Sequence, residues 1–419
     1  MGRQPFGLAS PAAWLRRAGH SVQSIDLSRD NLPEEEVAAA DVIALYLPMH
    51  TATVLALKLF PRLKKLNPTA RLAAYGLYAP INAAALRAAG VEAILGGEFE
   101  RGLTEWANGE TGPTVSLERL QFVMPDRSGL PSPDRYAQLQ GYGSPRVAGY
   151  TEASRGCKHL CRHCPIVPVY NGAFRVVQRD VVLADIRQQV QAGAQHITFG
   201  DPDFFNGPGH SLALVEALHR EFPALTYDVT IKVEHLLKHR SLLPILKGTG
   251  CLFVTSAVES VDDAVLERFA KNHTRADFVE AVALMREVGL MLSPTFVAFT
   301  PWTSLKGYRD LLRTVADLGL VENVAPVQWA IRLLIPAGSL LLPFVDTEPF
   351  DAARLVYPWV HPEPAMDRLA LRVSKIVAAD RGSRREIFES VWEAAHDARI
   401  DFLLPDRATV PYLNEPWYC

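Results

Sequence analysis

Apolar and polar positions form two separate series along the chain, and each series predicts strands linked by amphipathic helices. In the first, which ends near residue 107, short apolar runs alternate with helical periodicity. The predicted strands are residues 21–27, 42–47, 71–75 and 91–95, and the predicted helices are residues 11–18, 51–66, 81–89 and 99–107. This order is typical of a doubly wound α/β sheet. The chain opens on a glycine-containing loop and a helix, so we expect the usual first strand of such a domain to be missing or truncated.

A proline-rich stretch separates the first series from a second one. The strands predicted there are residues 149–153, 196–200, 227–232, 252–259, 291–298 and 327–334, and the helices are residues 181–192, 212–222, 276–288 and 305–318. Six βα repeats are too few for an eightfold barrel and enough for a partial (β/α)6 barrel. Beyond it we predict one helix, at residues 384–398, and a proline-spaced tail. The expected organisation is a Rossmann-like domain (1–110), a linker (111–147), a barrel (148–341) and a small C-terminal region (342–419).

Composition narrows the class of protein. The 419 residues are 48% hydrophobic and 21% charged, which argues against a disordered or fibrous chain. With 43 basic and 46 acidic side chains, the charge of −3 gives no support for nucleic acid or an anionic membrane as a partner. An apolar run of about 18 residues and an export signal are both missing, so we expect a cytoplasmic protein with a small-molecule ligand.

Three of the five cysteines lie within eight residues. Cys157, Cys161 and Cys164 have x3 and x2 spacing in a loop that directly follows a predicted strand. Three thiolates can hold one corner of a four-iron cluster and leave one iron open, whereas a closed structural zinc site needs four ligands. The alternatives are a zinc site completed by His159 or His163, or three unligated thiols. Cys251, at the start of an apolar strand, is interpreted as a core residue.

This cysteine spacing resembles that of the radical SAM superfamily, and the resemblance extends over essentially the whole chain. It implies a partial barrel, a [4Fe-4S] cluster on the three cysteines and S-adenosylmethionine (SAM) bound at the open iron. It also implies reductive cleavage of SAM, with electrons from a donor such as flavodoxin or ferredoxin. The cysteines match the cluster ligands of the family one for one.

Further cofactor-binding candidates lie at the strand ends that the resemblance assigns to SAM. On the second barrel strand these are Gly200, Asp201 and Asp203, with the acids expected near the amino group of SAM, although the same residues could form a turn or a helix cap. On the fourth strand they are Glu259 and Ser260, and the serine could instead cap the following helix. The last candidates are the two cations Lys232 and Arg332, which could pair with the SAM carboxylate or with structural acids.

Within the superfamily, an N-terminal doubly wound domain before the barrel resembles the cobalamin-binding class. The loops after the predicted strands, at residues 48–53, 75–80 and 96–100, lie where such domains bind their ligand. The Asp-x-His-x-x-Gly motif of one group of cobalamin proteins is missing, since His50 is followed by Thr-Ala-Thr. Two interpretations of this domain therefore remain: it binds cobalamin, or it is structural or contacts the substrate.

Finer segments resemble the CUAEP/CCAEP-tail radical SAM proteins, which include an arsinothricin-pathway enzyme. They are the opening Arg3-Gln-Pro-Phe-Gly-Leu-Ala-Ser-Pro, residues 75–80, Phe299-Thr-Pro-Trp-Thr and the end Asn414-Glu-Pro-Trp-Tyr-Cys419. The family continues past that cysteine, so we expect a chain clipped at a selenocysteine codon. Cys419 is then a possible substrate thiol, a ligand for arsenic, or a terminal thiol without a role.

These observations leave three functions open. The first is transfer of a carbon group of SAM, such as 3-amino-3-carboxypropyl, to a thiophilic acceptor such as arsenite. The second is a cobalamin-dependent radical SAM methyltransferase acting on an unactivated carbon or phosphorus centre. The third is an iron-sulfur sensor without catalysis, which would leave the acids at the strand ends without a purpose.

Overall fold

The computed structural model describes residues 2–141, 143–379, 382–405 and 410–414. The strands are β1 Val42–Tyr46, β2 Arg71–Tyr75, β3 Ala93–Gly97, β4 Val115–Ser116, β5 Gln138–Gln140, β6 Arg146–Thr151, β7 Ser154–Gly156, β8 Phe174–Val176, β9 His196–Phe199, β10 Thr226–Thr230, β11 Cys251–Glu259, β12 Met291–Phe296 and β13 Tyr412–Leu413. The α-helices are α1 Phe6–Arg17, α2 Glu34–Ala39, α3 His50–Leu66, α4 Tyr78–Ile81, α5 Ala83–Ala88, α6 Phe99–Ala107, α7 Val167–Tyr170, α8 Arg179–Gln191, α9 Pro208–Glu221, α10 Val233–Lys238, α11 Leu243–Gly248, α12 Asp263–Phe269, α13 Arg275–Val288, α14 Leu305–Asp317, α15 Pro364–Ala379 and α16 Arg384–His396.

The N-terminal sheet is parallel, and its strands follow in chain order as β1-β2-β3-β4. Alternate side chains of β2 point to opposite faces, as a strand requires. Leu72 and Ala74 pack with α3 residues such as Phe60, whereas Tyr75 packs on the other face with Phe99 and Leu103 of α6. Helices therefore cover both faces, as the predicted α/β arrangement requires.

The predicted first strand, residues 21–27, was wrong. Its backbone forms no ladder in the structure. Side chains hold this segment instead, because Arg16 donates to the carbonyl of Val22 at 2.7 Å and Tyr136 donates to the carboxylate of Asp26 at 2.9 Å. Alternating apolar and polar positions are also produced by an extended segment that packs on one side without pairing.

The second sheet is the curled half-barrel that holds the site. Its strand order is β12-β11-β10-β9-β6-β5-β13, and the run from β6 to β12 is parallel. Of the six predicted strands, five form. The sixth, residues 327–334, was wrong as a strand, because Pro326 begins a 3-10 helix that ends at Trp329. An isolated bridge between Phe299 and Arg332 is all that marks the sixth position in the described part of the chain.

The C-terminal region contains a helix that the sequence did not indicate. Besides α16, predicted as residues 384–398, the structure has α15, and the two helices pack against each other. Trp329 beneath them is fully buried, with its ring centroid 5.3 Å from that of Phe388 on α16. The pair therefore belongs to the same core as the barrel. The division at residues 110, 147 and 341 stays a prediction.

Candidate active site

The three-cysteine loop is closed at its base by a short hairpin. Its two strands, β7 and β8, pair so that Gly156 lies opposite Phe174. Gly156 has φ +74°, and a Cβ there would lie 2.5 Å from the carbonyl oxygen of Ala173, so only glycine fits directly before Cys157. The turn after Cys161 is fixed by a hydrogen bond from the amide of Cys164 to its carbonyl at 3.1 Å.

The structure brings all three thiols to one cavity of about 560 Å³ at the carboxyl ends of the barrel strands. All three cysteines are free, and Sγ of Cys157 lies 3.8 Å from the side-chain oxygen of Asn206. Burial raises the pKa of the Cys157 thiol, and that of Cys164 to about 12, with further increases from the neighbouring thiols. Lys271 opposes the increase at Cys164. Three crowded soft donors of this kind suit a metal cluster that supplies the positive charge.

Asp201 supports the loop from outside the cavity. One carboxylate oxygen accepts from the amide of Ala153 at 2.8 Å, and the other accepts from the hydroxyl of Ser154. Burial raises the pKa of Asp201 to about 7, although both hydrogen bonds oppose this. Gly200 is also structural, because a Cβ there would lie 1.9 Å from the Tyr150 hydroxyl. Neither residue lines the cavity.

Asp203, in contrast, lies in the cavity wall between two histidines. Its Oδ2 is 2.7 Å from Nδ1 of His235 and 3.5 Å from Nε2 of His159. Burial raises the pKa of Asp203, but the two imidazoles outweigh this, so the carboxyl is held below its usual range. Lys232 donates to the other nitrogen of His159 at 3.1 Å and to Glu234 at 3.2 Å. A carboxylate and an ammonium group thus lie on the two sides of His159 in the cavity wall. The nearest His159, Asp203 and His235 atoms lie within 4.8 Å of one another, which a divalent ion could bridge.

Glu259 lies at the end of β11 with φ +68°, an uncommon conformation for a residue with a side chain. Its carboxylate is 3.0 Å from Nε2 of His163 and accepts from Lys271 at 3.3 Å. Burial opposes ionisation, but the Lys271 ammonium and His163 outweigh it and lower the pKa of Glu259 to about 2. An ionised pair is therefore held in the cavity wall beside the cysteine loop.

Of the remaining two candidates, Arg332 lines the cavity and Ser260 does not. Ser260 does not line the cavity, since its hydroxyl accepts from the amide of Asp262 at 3.0 Å and so caps the turn before α12. Arg332 does line it, but its guanidinium is engaged by the carboxylate of Asp367 at 2.6 Å and by the carbonyl of Trp359 at 2.9 Å. Arg332 thus pairs with a structural acid, whereas the cap of α12 is Asp262, whose side chain accepts from the amide of Ala264 at 2.9 Å.

Residues from the N-terminal region complete the upper wall. Arg3 reaches the cavity from the segment before α1, His50 and Thr51 from the start of α3, and Tyr78 from α4. His50 is engaged elsewhere, because its Nε2 lies 2.7 Å from the carbonyl oxygen of Arg354. The loops after β1 and β2 therefore face the cysteine loop across one shared space.

Lys271 and His235 were not singled out from the sequence. The spacing of His159 and His163 inside the cysteine loop was a usable signal, but it was interpreted only as possible zinc ligation. Lys271 follows the end of α12 and carries no local pattern that aims it at Glu259. Cys251 is 1% exposed, as a core residue should be. Cys419, the possible substrate thiol, lies outside the described residues.

Comparison with known proteins agrees with this geometry. Residues 151–300 match the sequence profile of the radical SAM superfamily. The hopanoid C-3 methylase of Methylococcus capsulatus is 25% identical over 324 residues, which cover 71% of this chain and 62% of the methylase. The chain thus spans less than two thirds of that relative. No helix in the described residues is long and apolar enough to cross a membrane.

Two solved structures have a similar fold. The cobalamin-dependent SAM radical enzyme OxsB, with aqua-cobalamin and SAM bound, superposes with a TM-score of 0.65 at 12% identity, covering 93% of this chain and 68% of OxsB. The radical SAM methyltransferase TsrM of Kitasatospora setae, with cobalamin and a [4Fe-4S] cluster bound, gives 0.60 at 17% identity, covering 75% of this chain and 68% of TsrM. The match to OxsB extends over both sheets of this chain.

Proposed function

We propose that this chain, whose residues 151–300 match the radical SAM superfamily, is an enzyme of the transferase type and a cobalamin-dependent methyltransferase. The methyl group of SAM would be transferred to an unactivated carbon or phosphorus centre of a small molecule. The single observation that carries the proposal is the shared cavity, in which loops of the N-terminal sheet face the cysteine loop. OxsB and TsrM, which both bind cobalamin, share the fold.

Radical SAM chemistry requires a [4Fe-4S] cluster and SAM, which together supply a low-potential electron beside the sulfonium. Cys157, Cys161 and Cys164 would hold the cluster, and the donor set fits because the three thiols share one pocket. The Lys271 ammonium offsets part of the charge of three thiolates there. Electrons would come from a donor such as flavodoxin or ferredoxin.

The charged side chains of the wall suit the methionine end of SAM, which carries an amino and a carboxylate group. Asp203 and Lys232 both contact His159, so one wall offers a carboxylate for the amino group of SAM and an ammonium group for its carboxylate. Glu259 would accept hydrogen bonds from ribose hydroxyls, because its low pKa keeps it ionised. These residues position SAM and exclude water from the reacting centre.

Cobalamin would lie above this wall, against Arg3, Thr51 and Tyr78. His50 is not its expected cobalt ligand, since its Nε2 already faces a carbonyl oxygen. For a C–H acceptor the balance is two SAM and two electrons per methyl group transferred. One C–H bond breaks and one C–CH3 bond forms, and the products are S-adenosylhomocysteine, methionine and 5′-deoxyadenosine.

Transfer of 3-amino-3-carboxypropyl to arsenite has less support. The relatives named above are methylating enzymes or bind cobalamin, and the terminal thiol that would hold arsenic is outside the described residues. The proposal is tested by anaerobic reconstitution with iron, sulfide and hydroxocobalamin, reduction, and chromatography of the products of SAM. We expect co-elution of cobalamin with the protein, and 5′-deoxyadenosine together with S-adenosylhomocysteine. 5′-Methylthioadenosine without a cobalamin requirement would establish the other reaction.

A further inference from the structure

The barrel interior beneath the cysteine loop is lined by hydroxyl groups. Register places Thr230 of β10 opposite Thr255 of β11, and Thr255 opposite Ser293 of β12. Thr295 lies two residues further along β12, and all four residues line the cavity. Side chains in register on adjacent parallel strands point the same way, so these hydroxyls form one patch. The polar patch lies deeper in the barrel than the charged wall around the cysteines.

Most of these hydroxyls have no partner in the protein. The hydroxyls of Thr230, Thr255 and Thr295 make no hydrogen bond to any group in the described ranges, and all three residues are half-buried. Only Ser293 has a contact, a long one of 3.4 Å to the carbonyl of Asn323. These hydroxyls are accessible from the cavity and have free hydrogen-bonding capacity, so an arrangement of three favours a polar molecule there.

A carboxylate lies at the floor of the same patch. Asp228 is 3% exposed, and its Oδ1 accepts from Thr198 at 2.6 Å and lies 2.9 Å from Nε2 of His196. The imidazole is fixed in turn, because its Nδ1 lies 2.8 Å from the Thr226 hydroxyl. The second oxygen, Oδ2, has no hydrogen bond from the described residues, and Asp228 lines the cavity. A buried, rigidly held carboxylate with a free oxygen is a strong acceptor for an ammonium group.

Apolar side chains also line the cavity, and Phe253 lies directly beside Asp228 in the register of β10 and β11. The others include Ile166, Phe296, Val297, Ile331, Leu333 and Leu334. The cavity of about 560 Å³ would also hold the cluster and SAM, so the space left for an acceptor suits a small molecule. An apolar ligand there would leave the free oxygen of Asp228 unpaired, whereas an ammonium group would pair with it.

We propose that the barrel interior binds a small polyhydroxylated amine, with its ammonium on Asp228 and its hydroxyls on Thr230, Thr255 and Thr295. This inference rests on the proposed function, since the bound molecule would be the methyl acceptor. It concerns binding alone and involves no cofactor ligand. The molecule would enter from the open side, between the N-terminal loops and the barrel.

The test is binding to the reconstituted full chain with SAM present and no reductant, so that no turnover occurs. Isothermal titration would compare 2-deoxystreptamine, glucosamine and ethanolamine with the neutral polyol myo-inositol and the apolar triterpene diploptene. We expect saturable binding of at least one hydroxylated amine, at least about tenfold weaker binding of myo-inositol, and none of diploptene. Asp228→Asn should weaken the amine at least about tenfold and leave the iron content unchanged.

Two further variants keep the test decisive if Asp228→Asn does not fold. Thr230→Val and Thr255→Val remove one hydroxyl each at constant shape, and each should weaken amine binding several-fold. Asp310→Asn, in an exposed pair with Lys306 at 2.6 Å, is the control and should bind as the natural chain does. Binding of none of the amines, equal binding of myo-inositol, or binding of diploptene would overturn the inference. Because no reductant is present, these outcomes are independent of whether SAM is cleaved with cobalamin.

Discussion

Arg155 and Glu100 form a doubly hydrogen-bonded ion pair, with Nη2 and Nη1 of the arginine 2.6 and 2.9 Å from the two carboxylate oxygens. Arg155 lies in β7, two residues before Cys157, and Glu100 lies in the first turn of α6. Arg155 is 7% exposed, and Glu100 is fully buried. The pair therefore ties the cysteine loop to the helical layer of the N-terminal sheet.

The first prediction concerns the strength of this ion pair. Glu100→Gln should lower the free energy of unfolding by about 2 kcal/mol, because the buried guanidinium loses the charge of its doubly hydrogen-bonded partner and keeps only Glu152 at 2.7 Å and Glu98 at 3.8 Å. The matched control is Glu118→Gln in the exposed pair with Arg101, which should cost less than about 1 kcal/mol. Urea denaturation of both proteins without cofactors would measure the difference. Equal effects would show that the buried pair does not couple the two layers.

The second prediction concerns pH and Glu98, whose carboxylate lies 3.8 Å from the same Arg155. Burial, reinforced by Glu100, raises the pKa of Glu98 to about 7, although Arg155 and the hydrogen bond from Tyr170 oppose this. The folded state favours the neutral form of Glu98. Its contribution to stability is therefore fully present below the ordinary pKa near 4.5 and is lost as pH rises through about 7.

Urea denaturation between pH 5 and 8 would measure this loss. The free energy of unfolding should fall over the range by about 1 to 3 kcal/mol in the natural chain. Glu98→Gln should reduce this slope and leave the part due to Asp201, whose pKa burial also raises to about 7, and Glu118→Gln is the control that keeps the full slope. An unchanged slope in Glu98→Gln would assign the pH dependence to other groups.

The third prediction distinguishes a cluster cysteine, Cys161, from the core cysteine Cys251. Cys161→Ala should lose the cluster, seen as loss of iron and of absorbance near 400 nm, and should no longer cleave SAM. Cys251→Ala is the control in a buried core position, and it should keep full iron content while losing about 1 kcal/mol of stability. A Cys161→Ala protein that binds iron and cleaves SAM would refute the cluster assignment.

The sequence allowed prediction of those parts of the fold that depend on local pattern. Alternation and apolar runs located nine of the helices to within a few residues and five barrel strands. Both failures are segments whose apolar pattern fits a strand but whose backbone does not pair in a ladder. Residues 21–27 have no neighbouring strand, and residues 327–334 open in the 3-10 helix that ends at Trp329 and reach the sheet through an isolated bridge at Arg332.

The site was predictable where the chemistry is encoded in spacing, as for the three cysteines. It was not predictable where contacts join distant segments. Asp201 and Asp203 are alike in sequence, yet one supports the loop at Ala153 and Ser154 and the other faces the cavity. Only the packing of β9 against β6 decides which carboxylate points inward.

The last prediction uses the neighbours Glu259 and Ser260, both of which the sequence suggested as SAM contacts. Glu259→Gln should weaken SAM binding at least about tenfold, because a buried carboxylate that lines the cavity would lose its charge, and Lys271 would lose its partner. Ser260→Ala should leave the affinity for SAM within about twofold, since its hydroxyl caps a turn outside the cavity and contributes about 1 kcal/mol to stability. Equilibrium binding of SAM to reconstituted proteins of equal iron content would measure both. A tenfold loss in Ser260→Ala, with Glu259→Gln unaffected, would reverse the assignment of the two residues at the end of β11.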